Sequence, residues 1–418
     1  MSKQNKGLVP ELRFPEFLKN SGWELVYGNR AFEQISNKDH NSDLPILAVT
    51  QEYGAIPREI IDYNVSVTEK SVQSYKVVDV GDFIISLRSF QGGIEYSEYN
   101  GLCSPAYVIL RNKKGIDKRF FKQYFKAKSF IRDLTKNLEG LRDGKMISYK
   151  QFSEILLPKP STEEQQKIAD CLTSIDELIA LHTQKLKFLK DHKKGLMQQL
   201  FPAEGESVPK LRFPEFLGGY EWQRKIFGEV IQKSFYGTSN STSDTGVYPV
   251  LRMGNMVDGK LQFENLVYID LSGEEFEKLK LEPGDILFNR TNSYDLVGKV
   301  SLFNEVENYV AASYIVTFRL KTDLILPSFC NQLLNTGYYQ SLIKTLATRA
   351  VSQANINPSK LKDELEVRIP CFKEQVKITD FLESIDTLIS DQNEKLSRLK
   401  SHKSGLIQKL FPVLEEEV

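Results

Sequence analysis

The sequence predicts an α+β chain built twice, in which two mixed domains alternate with two long helices that pair as a coiled coil. Three observations carry this reading. "LRFPEF" stands at residues 12–17 and again at 211–216, followed each time by a short polar stretch and a tryptophan, Trp23 or Trp222. Two long stretches, 164–202 and 374–412, answer each other and are apolar at alternating steps of four and three. Between these markers each copy carries strand-like runs with Gly-Asp turns, then a helical stretch.

At 418 residues the chain is long enough for two or more cores. Pairing Pro10 with Pro209, or Trp23 with Trp222, gives an offset of 199, whereas Ile168 with Ile378 and Pro202 with Pro412 give 210. The same order therefore recurs around a longer second interior. The expected divisions are a first mixed domain over 1–158, a first helix over 159–202, a second mixed domain over 203–369, and a second helix with tail over 370–418. The linker "AEGES" joins the copies.

In the leading segments Pro15 and Pro214 stiffen the approach, and Trp23 and Trp222 anchor the start of each domain. The first domain offers strands in "LPILAV", "GDFIISL" and "AYVIL", then the amphipathic helical stretch "KRFFKQYFKAKSFIRDLTKNL". The second offers "YPVLRM", "GDILFN", "GKVSLF" and "AASYIVTFRL", then "PSFCNQLLNTGYYQSLIKTLA". Asp82 and Asp285 follow glycine in settings where an aspartate closes the turn with its own side chain.

In the first long helix Ile168, Leu172, Ile175, Ile179, His182, Leu186, Leu189, Lys193, Leu196 and Leu200 fall on a heptad seam. Ile378, Leu382, Ile385, Ile389, Gln392, Leu396, Leu399, Lys403, Leu406 and Leu410 repeat it in the second. At about 1.5 Å per residue such a helix is roughly 55 Å long, a strut more than a core element. The polar seam residues His182, Lys193, Gln392 and Lys403 cost stability but fix register and orientation.

Several function classes drop out. No apolar run approaches the roughly 18 residues of a membrane span, and "MSKQNKGLVPELRF" has no apolar signal core, so a cytoplasmic protein without membrane partners is expected. Cys103, Cys171, Cys330 and Cys371 form no C-x-x-C pair, and His40, His182, His192 and His402 form no H-E-x-x-H pair, so no metal site is expected. Neither a phosphate-binding loop nor a dinucleotide fingerprint is present. No catalytic residue is assigned.

Lys plus Arg equals Asp plus Glu at 55 each, yet the charge is uneven. Residues 111–150 hold thirteen basic against four acidic residues, and 319–362 hold six against one. Beside these segments lie polar loops whose side chains suit base edges: Arg88, Ser89 and Gln91 in the first copy, and Asn289, Arg290, Thr291, Asn292 and Tyr294 in the second. Arginine matches the paired acceptors of guanine, and Asn or Gln the donor and acceptor of adenine. After each helical stretch come Arg142, Lys145 and Lys150, and correspondingly Arg349, Gln353 and Lys360, a phosphate-plus-base surface.

With these residues in place the chain resembles the specificity subunit of a type I restriction-modification enzyme. The resemblance rests on "GKMIS…LLPKPSTEEQQKIADCL" and "SQANI…VRIPCFKEQVKITDFL", the paired "SIDELI" and "SIDTLI", and the terminal "LFP", in the same order in both copies. It implies two target-recognition domains, each reading one half of a bipartite DNA target through the major groove. The helices would pair antiparallel, in a pseudo-twofold repeat, and set the half-site spacing. It also implies a non-catalytic chain that binds no cofactor itself. Two modification subunits would carry S-adenosylmethionine and methylate adenine, and restriction subunits would use ATP and Mg. The sequence lacks N-P-P-[YF], the nearest match being "INPSK", in keeping with that division. Two other readings stay open at this point: a structural adaptor whose α+β domains bind protein or sugar, and an enzyme with its own site in the mixed domains.

Overall fold

Each copy folds its β-branched and aromatic runs into the same four-stranded antiparallel sheet. The structure, a computed structural model, describes residues 8–41, 43–61, 69–136, 147–349 and 353–413. In the first copy the order is Phe32–Ile35, Val108–Asn112, Phe83–Ile85 and Glu95–Tyr96. In the second it is Ile231–Tyr236, Ile315–Leu320, Asp285–Asn289 and Val300–Phe303. Phe83–Ile85 and Asp285–Asn289 are buried along their whole length, and residues 83–85 and 286–288 within them are continuously apolar.

The Gly-Asp turns enter these strands. Gly81 and Gly284 have φ of 103° and 94°, a region that favours glycine. Asp82 accepts from the Asp79 N–H at 2.9 Å, and Asp285 from the Glu282 N–H at 2.8 Å, closing the turns. Each carboxylate also receives a two-pronged guanidinium from the neighbouring strand. Arg111 donates to Asp82 at 2.8 and 2.7 Å, and Arg319 to Asp285 at 2.9 Å from both nitrogens. These four charges lock the sheets.

The helical stretches expected from the sequence each divide in two. The first gives Lys118–Tyr124 and Lys128–Thr135, and the second Pro327–Leu334 and Gly337–Thr345. Local capping overrides the helical period. In the second copy the Thr336 hydroxyl accepts from the Tyr339 N–H at 3.4 Å and restarts the helix.

The chain divides into two units, residues 1–184 with 394–418, and 185–393. In the first, Glu24–Tyr27 pairs antiparallel with Leu156–Lys159, just before the long helix Thr162–Leu200. In the second, Gln223–Ile226 pairs with Glu366–Ile369, just before Phe372–Leu410. The leading segments then dock on the helix ends. Arg13 reaches Glu164 at 2.7 and 2.8 Å, and Arg212 reaches Glu374 at the same distances. The Leu12 N–H donates to the Lys409 carbonyl, and the Leu211 N–H to the Gln199 carbonyl, both at 2.9 Å. Trp23 and Trp222 are buried beside these joints.

Within each unit the long helices run antiparallel. In the first, Ile168 and Leu172 share a core with Leu406 and Leu410, and Asp176 meets Lys403 at 2.6 Å. In the second, Leu196 and Leu200 share a core with Ile378, Leu382, Ile385 and Ile389, and Asp386 meets Lys193 at 2.8 Å. The seam positions Ile175, Ile179, Leu186, Leu189, Leu396 and Leu399 are buried or half-buried. No helix among the described residues is long and apolar enough to cross a membrane.

Removing one partner of a buried ion pair leaves an uncompensated charge and costs about 3–5 kcal/mol. Glu164→Gln and Glu374→Gln should each lower the urea midpoint of their own unit by a corresponding amount. Replacing both partners, as in Arg212→Met with Glu374→Leu, should recover most of the loss.

Candidate nucleic-acid interface

In the second domain three very short strands bring together residues far apart in sequence. Thr291–Asn292 pairs with Ala354–Ile356, which pairs with Ala347–Arg349, all antiparallel. The sheet is anchored below by the Ile356 N–H donating to the Arg290 carbonyl at 2.8 Å. The Arg349 guanidinium lies 3.6 Å from the ring centre of Tyr294, a stacked cation on an aromatic face. The Arg290 guanidinium lies 5.3 Å from the ring of Tyr236, which is 50% exposed. Gln353 is exposed and directly precedes the central strand. Arg290, Thr291, Asn292, Tyr294, Arg349 and Gln353 thus share one small surface.

Asn289 does not belong to that surface. Its side chain is buried, and its oxygen accepts from the Thr291 N–H at 3.3 Å, shaping the turn. Lys360 is exposed on the helix Pro358–Glu364 and meets Glu364 at 3.8 Å.

In the first domain Arg88 and Gln91 are exposed, Arg88 just before and Gln91 within the single helical turn Ser89–Gly92. Ser89 lies between them but is 1% exposed, and its hydroxyl accepts from the Ser86 N–H at 2.9 Å. It shapes the loop from within. The loop is pinned from below, where Gly93, at φ 82°, lies so close to the Phe125 carbonyl that a Cβ would collide with it. Lys126 bridges the Gly92 carbonyl at 3.0 Å and the Glu95 carboxylate at 2.5 Å. Burial pushes the Glu95 carboxyl above its ordinary range, and Lys126 pulls partly against that. Lys150 is exposed on a separate short helix, Tyr149–Ser153, which Ser148 and Gln151 cap. Arg142 and Lys145 lie outside the described residues.

The two basic segments are less available than their composition indicates. Arg111 serves Asp79 and Asp82, Arg119 serves Asp117 and Asp170, Lys122 serves Glu98, and Lys126 serves Glu95. Arg319 is engaged by Glu282 and Asp285. Arg111, Lys122, Lys126 and Arg319, and Arg119 in part through Asp170, are therefore neutralised from outside their own segments. The sequence reading missed these partners, and it missed Tyr236 and Asn355, because only the tertiary fold brings them to the site.

Residues 25–191 and 220–401 match the family described as type I restriction modification DNA specificity domain. A putative type I restriction enzyme specificity subunit of Methanocaldococcus jannaschii, MjaX, is 29% identical over 194 residues, 46% of this chain and only 45% of that relative's length. The MjaVIII specificity subunit of the same organism is 24% identical over 421 residues, 96% of this chain and 93% of that protein. The EcoKI specificity subunit of Escherichia coli strain K12 is 24% identical over 320 residues, 72% of this chain and 67% of that one. The fold is similar to a solved chain described under complex assembly and conformational transition of the type I R-M system, at TM-score 0.56 and 15% identity, covering 94% of this chain and 98% of that one. It is also similar to the type I restriction-modification system S subunit from M. genitalium, at TM-score 0.54 and 15% identity, covering 98% of this chain and all of that one at 100%.

The raised Glu95 carboxyl gives a signed pH dependence. The folded chain holds that proton more tightly than the unfolded chain, so the stabilisation is full below the ordinary carboxylate range and is lost as pH rises through the raised value. Urea titrations of wild type and Glu95→Gln across that window should show the wild type losing stability relative to the variant as pH rises.

Proposed function

Since the chain belongs to the type I restriction-modification DNA specificity family, as a non-catalytic specificity subunit, we propose that each α+β domain reads one half of a bipartite duplex target in the major groove. The observation that supports this most is one frame carrying two different polar surfaces. Both domains hold a Gly-Asp strand against a neighbouring arginine, Asp82 with Arg111 and Asp285 with Arg319. From the end of that strand one exposes Arg88 and Gln91, and the other carries the half-buried Arg290, Thr291, Asn292 and Tyr294. A common frame with divergent side chains is what two unlike half-sites require.

The long helices set the distance between the half-sites and dock two modification subunits. Leu178, Leu181, Phe188 and Leu388 are exposed on them at 46%, 62%, 66% and 54%, apolar surface that a partner would cover. S-adenosylmethionine belongs to those modification subunits, and ATP and Mg to restriction subunits. With Arg111, Arg119, Lys122, Lys126 and Arg319 engaged internally, the chain by itself contributes fewer phosphate contacts than its composition suggests. Most of the electrostatic affinity then comes from the partners.

Two measurements test this reading. Mapping methylated adenines in DNA treated with the chain and its modification subunits should return one bipartite motif, while the chain alone binds duplex weakly in gel shifts. Absence of any motif would favour the adaptor reading, and tight, specific binding by the chain alone would overturn the division of labour. In the second, Arg88→Ala with Gln91→Ala should relax one half of the motif, and Arg290→Ala with Asn292→Ala the other. Single base-pair discrimination should fall by roughly tenfold for each lost two-pronged contact. Both pairs acting on one half would remove the domain assignments.

A further inference from the structure

The three-stranded sheet of the second domain has two unlike faces. Its register places Thr291, Asn355 and Thr348 side by side across the strands. Ala354 and Ile356, on either side of Asn355, are buried in the domain core, whereas Asn355 and Thr348 are exposed. Because side chains alternate along a strand, the row Thr291–Asn355–Thr348 looks outward.

Within that row the Thr291 hydroxyl donates to Asn355 Oδ1 at 2.9 Å. The bond restricts rotation of the amide while leaving both Nδ2 protons and one lone pair of Oδ1 available. An exposed amide held this way offers an adjacent donor and acceptor, the pattern complementary to N7 and N6 of adenine. Arg349, stacked on Tyr294, sits at the end of the neighbouring strand and supplies positive charge at the rim.

We propose that Asn355 reads an adenine in the half-site of the second domain, and that Thr291 is a positioning residue acting through it. This rests on the proposed function and adds a named reader to it. It also moves Thr291 from direct contact to support.

The experiment uses the full chain assembled with its modification subunits, with methylated positions mapped for wild type and variants. Wild type should give a bipartite motif, and its absence would remove the functional reading together with this inference. Given that motif, Asn355→Ala should relax one base pair of the second half by about tenfold and leave the first half intact. Thr291→Val should relax the same base pair less, and Thr291→Ser should restore it, a pattern that a purely structural role would not produce. Asn355→Asp keeps the size but leaves only acceptors, and should move that base pair from adenine towards cytosine. An unchanged motif in both Asn355 variants, or relaxation of the first half instead, would overturn the proposal while leaving the functional reading in place. If Asn355→Ala abolishes methylation altogether, the Asn355→Asp motif decides between the two outcomes.

Discussion

A buried arginine–glutamate clamp holds each domain closed, and the rest of the structure hangs from it. Arg13 and Glu164 are 151 residues apart, yet their side chains are only 4% and 1% exposed. Two buried charges tolerate this only when their other hydrogen-bonding groups are also satisfied. Arg13 accordingly donates to the Asn20 and Ser21 carbonyls at 3.0 and 3.1 Å. Arg212 donates to the Tyr220 carbonyl at 3.0 Å while holding Glu374. The clamp carries a turn of the leading segment onto the first turn of a long helix, so the paired strands, the buried tryptophan and the sheet behind them assemble at a fixed place along that helix.

One aspartate in each unit extends this constraint from the domain to the helix pair. Asp176 accepts from Lys403 of the opposite helix at 2.6 Å and from Gln123 of its own domain at 2.8 Å. Asp386 accepts from Lys193 at 2.8 Å and meets Lys260 of its domain at 3.4 Å. A lone lysine in a coiled-coil seam is costly, but one that finds an aspartate in a single register penalises every slipped alternative. Each aspartate therefore ties helix register to domain position.

The long helices were legible in the sequence because a heptad pattern is local and is repeated here over more than thirty residues. The clamps were half-legible. Arg13 and Arg212 stand inside the repeated "LRFPEF" and Glu164 and Glu374 open the repeated helices, but nothing local says that they touch. The basic segments misled for the same reason: Arg111 and Lys126 look available until Asp82 and Glu95, about thirty residues earlier, are folded against them. Single helices were expected where Thr336 restarts the chain, because a hydroxyl cap competes with periodicity at one residue. Asn355 sits in a strand of three residues, too short for any period to declare itself.

The frame and the outward polar surface are governed by different chemistry. Asp82 with Arg111, Asp285 with Arg319, and the two clamps are satisfied within the chain, so changing one member leaves a charge without its partner. Asn355, Arg88 and Gln91 are exposed and make no such ion pair among the described residues. Asn355 has Ala354 and Ile356 as neighbours, and these hold the strand in place while the residue between them faces away. Arg88 and Gln91 ride on a turn fixed from beneath by Gly93, Ser89 and Lys126. A substitution at an outward position therefore changes the surface of the domain without removing what holds it together. A duplicated chain built this way can keep one scaffold in both copies while its two surfaces diverge.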